Sequence, residues 1–396
     1  MNAITSANAR WGSVKFAAFP ARGRRAGGLP CVNRRNMMVG MTGSALSGAV
    51  GSVKEGNENP PQAVVVPPTP IPTPMPPLEL DSHGVERLKL LPQGWNVWKW
   101  NGHSINWTVA GTPGTGPAVL LIHGFGASVY HWRYVIPALA KAGYQVFAMD
   151  CLGFGWSDKA LVDYGDYSVW THQIAEFTRQ VIYANDGSAD RSVVLVGNSL
   201  GGYNSLATAA SYPDLVKGVV LLNSAGRFDK PGGETAPAAD AAAAAADGAW
   251  LRRMMDQAGS VFRRGIIRAS FIVAKQPARI RQVLGQVYVS PQNLDDDLVQ
   301  SILLPAQDPN AAEVFCRVIT AKGTPVNVLL DRLVPEKMPV FLLWGTRDPW
   351  CVPTRADQIQ TYYPQATRTD IDSGHCPHDD TPELVVPELV KWMNSL

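Results

Sequence analysis

The sequence predicts an α/β protein: a mostly parallel central sheet flanked by helices, with a helical cap inserted between two sheet strands. Three observations predict it. From residue 94 to the C-terminus, apolar runs of strand length alternate with helix-length amphipathic segments. The later strand runs are nearly continuously apolar, as strands buried on both faces are. One long block, residues 225–337, interrupts the alternation and contains no convincing strand.

The elements follow in order. GWNVWKWNG (94–102) and SINWTVAG (104–111) read as an antiparallel pair with polar-apolar alternation. AVLLIHG (118–124) reads as a buried parallel strand ending in His-Gly, and YVIPALAKAG (134–143) as a helix with a Gly stop. YQVFAMD (144–150) is the next strand. SVWTHQIAEFTRQVIYA (168–184) reads as an amphipathic helix opened by a Ser cap. SVVLVGNS (192–199) is a strand and LGGYNSLATAASYP (200–213) a helix stopped by Pro213. KGVVLLNS (217–224), PVFLLWGT (339–346) and a segment near 367–372 supply further strands, and a helix at 382–394 closes the chain. The core is therefore expected at 85–224 and 338–396, with the cap at 225–337. The cap opens on an Ala-rich loop (235–249) and continues as helices.

Composition excludes several classes. The chain has 396 residues, 46% hydrophobic and 17% charged, which is too apolar for disorder throughout. No uninterrupted apolar stretch of about 18 residues predicts a transmembrane helix. Five scattered cysteines argue against a disulfide framework. Residues 1–54 hold eight Lys or Arg and no acid. Removing them from totals of 35 basic and 33 acidic leaves 27 against 33, a net −6, so a nucleic-acid partner is not expected. The acid-free, Arg- and Ser-rich start has the composition of a transit peptide, which predicts a chloroplast address. Arg34-Arg35 before the apolar run Met37–Val50 adds export to the thylakoid lumen as a second reading. Residues 55–84 form a Pro-rich linker, with folding expected to begin near Leu78.

The motif that decides the chemistry is GNSLG (Gly197–Gly201), a G-x-S-x-G between a buried strand and a helix. That context makes Ser199 the candidate nucleophile at a sharp elbow. Two backbone N–H groups should form an oxyanion hole: Leu200, directly after the nucleophile, and Phe125, in the loop after the HisGly strand end. Acid and base should follow in the order Ser, Asp, His. Asp348 lies two residues past Trp344-Gly345-Thr346, and His375 lies in SGHCPHDD, past the last strand. Asp229 is the rival acid and His378 the rival base, the latter read as structural. His123, Asp150 and Asp158 read as loop-fixing groups. Cys376-x-His378 lacks two further ligands for zinc, so no metal is expected, and no dinucleotide or phosphate-loop fingerprint occurs.

HGFG (123–126), HWRY (131–134), DCLGFGWSD (150–158), GNSLGG (197–202), LLNSAG (221–226), WGTRDPW (344–350) and GHCPHDD (374–380) together resemble the α/β-hydrolase fold. The resemblance covers about residues 85–396 and is to its plastid branch, that of pheophytinase and chlorophyll dephytylase. It implies a Ser199–His375–Asp348 triad, carboxylester hydrolysis and no cofactor. It also implies a lipophilic small-molecule ester as substrate, such as a phytyl ester of a chlorophyll-type pigment. Acyl transfer, lipid acyl hydrolysis and slow hydrolysis by a ligand receptor use the same triad and stay open. Residues 250–285 carry eight basic residues against Asp256 alone, interleaved with Met254, Met255, Phe262, Ile266 and Phe271. One reading is a solvated basic face; the other is peripheral contact with anionic membrane lipid. The oligomeric state is open.

Overall fold

A computed structural model describes residues 76–112, 117–185, 192–229 and 260–396, and of residues 185, 260–264 and 266 the backbone alone. The basic N-terminal segment, most of the Pro-rich stretch, the Ala-rich loop, Met254 and Met255, and the side chains of Phe262 and Ile266 lie outside the described residues.

The described residues begin inside the segment read as linker. β1 (Leu78–Leu80) and β2 (Glu86–Leu88) form a small antiparallel ribbon. The main sheet starts with β3 (Asn96–Trp100) and β4 (His103–Ala110), joined through Asn101-Gly102. Both turn residues have positive φ (48° and 82°), the type I′ geometry whose twist matches a hairpin. Then come β5 (Ala118–Ile122), α1 (Val135–Lys141), β6 (Val146–Met149) and α2 (Ser168–Phe177). The helix expected as one piece to residue 184 widens into a π turn at Thr178–Ile182. Its N-cap is Tyr167, in the left-handed region, and not Ser168, whose N–H is held by the Asp166 carboxylate. β7 (Val193–Asn198), α3 (Leu200–Ser211) and β8 (Val216–Leu222) complete the first half.

The cap carries α4 (Ser260–Ala274), α5 (Pro277–Leu284), α6 (Asp296–Leu303) and α7 (Ala311–Ile319). α8 (Val326–Leu333) lies within the block read as cap, but Leu329, Leu330 and Leu333 pack into the core cluster under the sheet. The chain finishes with β9 (Val340–Gly345), α9 (Thr354–Tyr362), β10 (Thr367–Ile371) and α10 (Pro382–Met393).

The strand order is β10-β9-β8-β7-β5-β6-β4-β3, and every pairing is parallel except the two that β4 makes. Parallel strands need crossovers on both faces, which is why β5, β6, β7 and β9 are buried at every residue. One face packs against α1 and α10 through Val135, Leu139, Val385 and Leu389; the other packs against α2, α3 and α8 through Trp170, Leu206 and Leu329. β5 has β6 on one side and β7 on the other, so the chain reverses direction across the sheet there. In open α/β sheets such a switch point is where the loops at the carboxyl ends of the strands form ligand sites.

Candidate active site

Ser199 follows β7 directly and stands before α3, with φ +54° and ψ −119°. A non-glycine residue here is strained, and the glycines around it allow the strain. A Cβ on Gly197 would overlap the Gly201 carbonyl, and one on Gly201 would overlap the Ile122 carbonyl. The elbow is therefore pressed against both its own helix and the end of β5. A Cβ on Gly124 would lie 3.1 Å from the Ser199 Cβ, so the loop carrying Phe125 runs against the serine. Leu200 occupies the first helical position, where an N–H has no intrahelical acceptor.

Asp348 and His375 meet at the ends of β9 and β10. The His375 Nδ1 lies 2.7 Å from Asp348 Oδ2, and both residues are buried. Asp348 Oδ2 also accepts from Asn223 Nδ2 at 2.7 Å, while Oδ1 accepts from the Trp350 and Cys351 N–H groups at 2.7 and 3.1 Å. Burial pushes the Asp348 carboxyl up, but the charge of His375 and these hydrogen bonds outweigh it and hold it below its ordinary value. Trp350 stands edge-on to the imidazole, centroids 4.9 Å apart. Asn198, beside the elbow, donates to the His375 carbonyl at 2.8 Å and to Leu222 O at 3.1 Å. The His375 loop, the elbow and the end of the neighbouring strand are thus tied at one point.

The rival residues have other partners. Asp229 pairs with Arg227. His378 is buried and stacks on Trp132 at 4.0 Å, with no hydrogen-bond partner for either ring nitrogen among the described residues. His123 Nδ1 lies 2.7 Å from Gly124 O, and its Nε2 accepts the Cys151 N–H at 3.0 Å. This pattern fixes the Nδ1–H tautomer, and burial holds the ring neutral. His123 thereby pins the Phe125 loop to the loop after β6. Asp150 accepts from Val129 N, Trp156 N and Asn106 Nδ2, and Asp158 from Ser104 N. Donor atoms of Asp348, Cys351 and His375 lie within 4.8 Å of one another, the nearest approach to a metal cage among the described residues. The Asp348 oxygens and His375 Nδ1 are already spent on one another and on the loop N–H groups, which suits an orienting pair better than a ligand set.

The cap reaches the site in two ways. Aromatic rings form a chain from the loop after β5: Phe125 to Phe315 of α7 at 5.3 Å, and Phe315 to Phe271 of α4 at 5.2 Å. A polar network makes the second set of contacts. Arg133, fully buried, donates to Asp379 at 2.7 Å, to Asp295 at 2.8 Å and to Asn293 O at 2.6 Å. Tyr288 donates to Asp379 at 2.8 Å. Burial pushes the Asp379 carboxyl up to about 6, against the pull of Arg133. Sequence reasoning missed Asn223, Trp350 and this network. The available signal was an uncompensated Arg in HWRY and a paired Asp-Asp after His375.

A family model described as alpha/beta hydrolase fold matches residues 117–382. The chain belongs to the α/β-hydrolase family. The chloroplastic pheophytinase of Arabidopsis thaliana is 28% identical over 319 residues, 71% of this chain and 62% of that protein. The chain thus spans less than two thirds of that relative's length. The 2-hydroxy-6-oxo-6-(2'-aminophenyl)hexa-2,4-dienoic acid hydrolase of Metapseudomonas resinovorans is 40% identical over 116 residues, 28% of this chain and 37% of its own. Among solved structures, a bacterial membrane phospholipase A aligns with a TM-score of 0.58 at 21% identity, over 76% of this chain and 85% of that one, a likeness of fold. Hydrolases are among its curated relatives, and ester hydrolysis is consistent with them.

Proposed function

We propose that this α/β hydrolase is a plastid serine carboxylester hydrolase for a lipophilic ester, using Ser199, His375 and Asp348. The observation that carries the reading is the buried His375–Asp348 pair tied through Asn198 to the strained Ser199 elbow. His375 takes the Ser199 proton as the hydroxyl oxygen attacks the ester carbonyl carbon. Phe125 and Leu200 N–H groups receive the developing oxyanion. Asp348, held ionised, fixes the imidazole tautomer and stabilises its cation. His375 then protonates the leaving alcohol, and water, deprotonated by the same base, releases the acid.

The ring path from Phe125 to Phe271 supports an apolar substrate. Similarity to a chloroplastic pheophytinase supports a plastid address and a phytyl ester as the specific case. The test is steady-state hydrolysis of p-nitrophenyl esters from acetate to octanoate, followed by phytyl esters of chlorophyll-type pigments. Rising kcat/KM with chain length, with free acid as product, is expected. A preference for acetate overturns the lipophilic reading; product transferred to an acceptor other than water replaces hydrolysis by acyl transfer. A fusion of residues 1–80 to a fluorescent reporter is expected to enter plastids; cytosolic or secreted fluorescence contradicts the address.

A further inference from the structure

We infer that Asp380 is a positioning residue that makes the placement of His375 depend on the seating of the cap. This rests on the reading of His375 as the base. The Asp380 side chain is fully buried and bridges two chain segments far apart in sequence. Toward the base loop, its Oδ2 accepts the Gly374 N–H at 2.9 Å and the Ser373 hydroxyl at 3.1 Å. Toward the cap, its Oδ1 accepts the Ser290 and Val289 N–H groups at 2.8 and 3.0 Å. The cap segment answers directly: Val287 O accepts the His375 N–H at 2.9 Å. Gly374 permits that approach, because a Cβ there would overlap the Val287 carbonyl. The His375 backbone is therefore gripped on its N–H by the cap and on its carbonyl by Asn198 beside the elbow.

Asp379, one residue earlier, does a different job. Its bonds go to Arg133 and Tyr288, and its carboxylate makes none to residues 373–375. Asp379 docks the cap, while Asp380 couples the docked cap to the base. An amide at 380 would turn one acceptor into a donor facing N–H groups, which forces segments 287–290 and 373–375 apart. A shift of about 1 Å at a reacting group can lower turnover about 10²-fold. The apolar rings that would bind the ester are on α4, α7 and the Phe125 loop, away from this junction, so ground-state binding should survive.

The test is kcat and KM on p-nitrophenyl octanoate, with thermal melting, for the full chain and for Asp380→Asn, Ser373→Ala and Tyr288→Phe. Expected are a kcat about 10- to 100-fold lower in Asp380→Asn with KM within about twofold, and a smaller loss of the same kind in Ser373→Ala. Tyr288→Phe removes a single docking bond and should melt earlier, with a kcat loss smaller than that of Asp380→Asn. Lower melting of Asp380→Asn and Ser373→Ala at wild-type kcat would overturn the inference. Should Asp380→Asn fail to fold, Ser373→Ala decides: a KM-sparing loss supports the coupling and wild-type kcat overturns it. A folded wild type that turns over no ester overturns the underlying reading and this inference with it, whereas an active wild type with unaffected variants overturns this inference alone.

Discussion

Asn223 has positive φ (42°) and uses both ends of its amide: Nδ2 donates to Asp348, and Oδ1 accepts the Gly345 N–H at 2.9 Å. It holds the Asp348 carboxylate from the end of β8, the strand next to β9, after which Asp348 lies. Asn223→Ala should leave the acid in place but loosely held, with kcat lower by about tenfold. Asp348→Asn should cost on the order of 10³ or more, because the amide supports the wrong imidazole tautomer. Asp229→Asn should be nearly neutral, since Asp229 pairs with Arg227. Kinetics on the three variants check this ranking; a large loss in Asp229→Asn alone would move the acid to the loop after β8.

At the scale of elements, the cap rings make a separate prediction. Each buried CH₂ is worth about 0.8 kcal/mol, or about fourfold in kcat/KM. Phe315→Ala opens the track between Phe125 and Phe271, so the octanoate advantage over acetate should shrink while acetate turnover stays near wild type. An unchanged chain-length slope would remove these rings from the binding path. α4 ends in exposed Ile272 and Val273 beside Lys275, and Lys275 reaches toward Gln307 just past exposed Leu304. A double change to Glu at 272 and 273 should weaken binding to anionic vesicles at low salt; equal binding would leave this patch without a membrane role. The strands were legible because apolar runs of five to seven residues need burial on both faces, and the elbow because glycine spacing and strand context coincide. The cap was legible only as helices. Periodicity says that a helix such as α8 has an apolar face but not which surface covers it. Partners such as Arg133 and Asp379 stand 246 residues apart, and nothing local joins them.

For the whole molecule, part of the sensitivity to acid follows from a buried histidine, His378, packed on Trp132. Burial, joined by the nearby His131, His375 and His123, holds the His378 ring far below its ordinary value of 6.5. The unfolded chain therefore binds the proton more readily, and this group's contribution is lost as pH falls below about 6.5. Asp379, pushed up to about 6, works in the opposite direction, binding a proton more readily when folded. Comparing wild type with His378→Leu cancels that second effect. The variant's melting temperature should gain on wild type as pH drops from 8 to 5; a constant difference would mean the ring is not held neutral.

The central claim is that the strained serine at the switch point of the sheet is a covalent nucleophile activated by the His375–Asp348 pair. Fluorophosphonate treatment of the folded full chain, followed by mass mapping of the adduct, tests it most directly. The account predicts one adduct, on Ser199, lost in Ser199→Ala and strongly slowed in Asp348→Asn. A folded protein that stays unlabelled, or that carries the adduct on another residue, would contradict it.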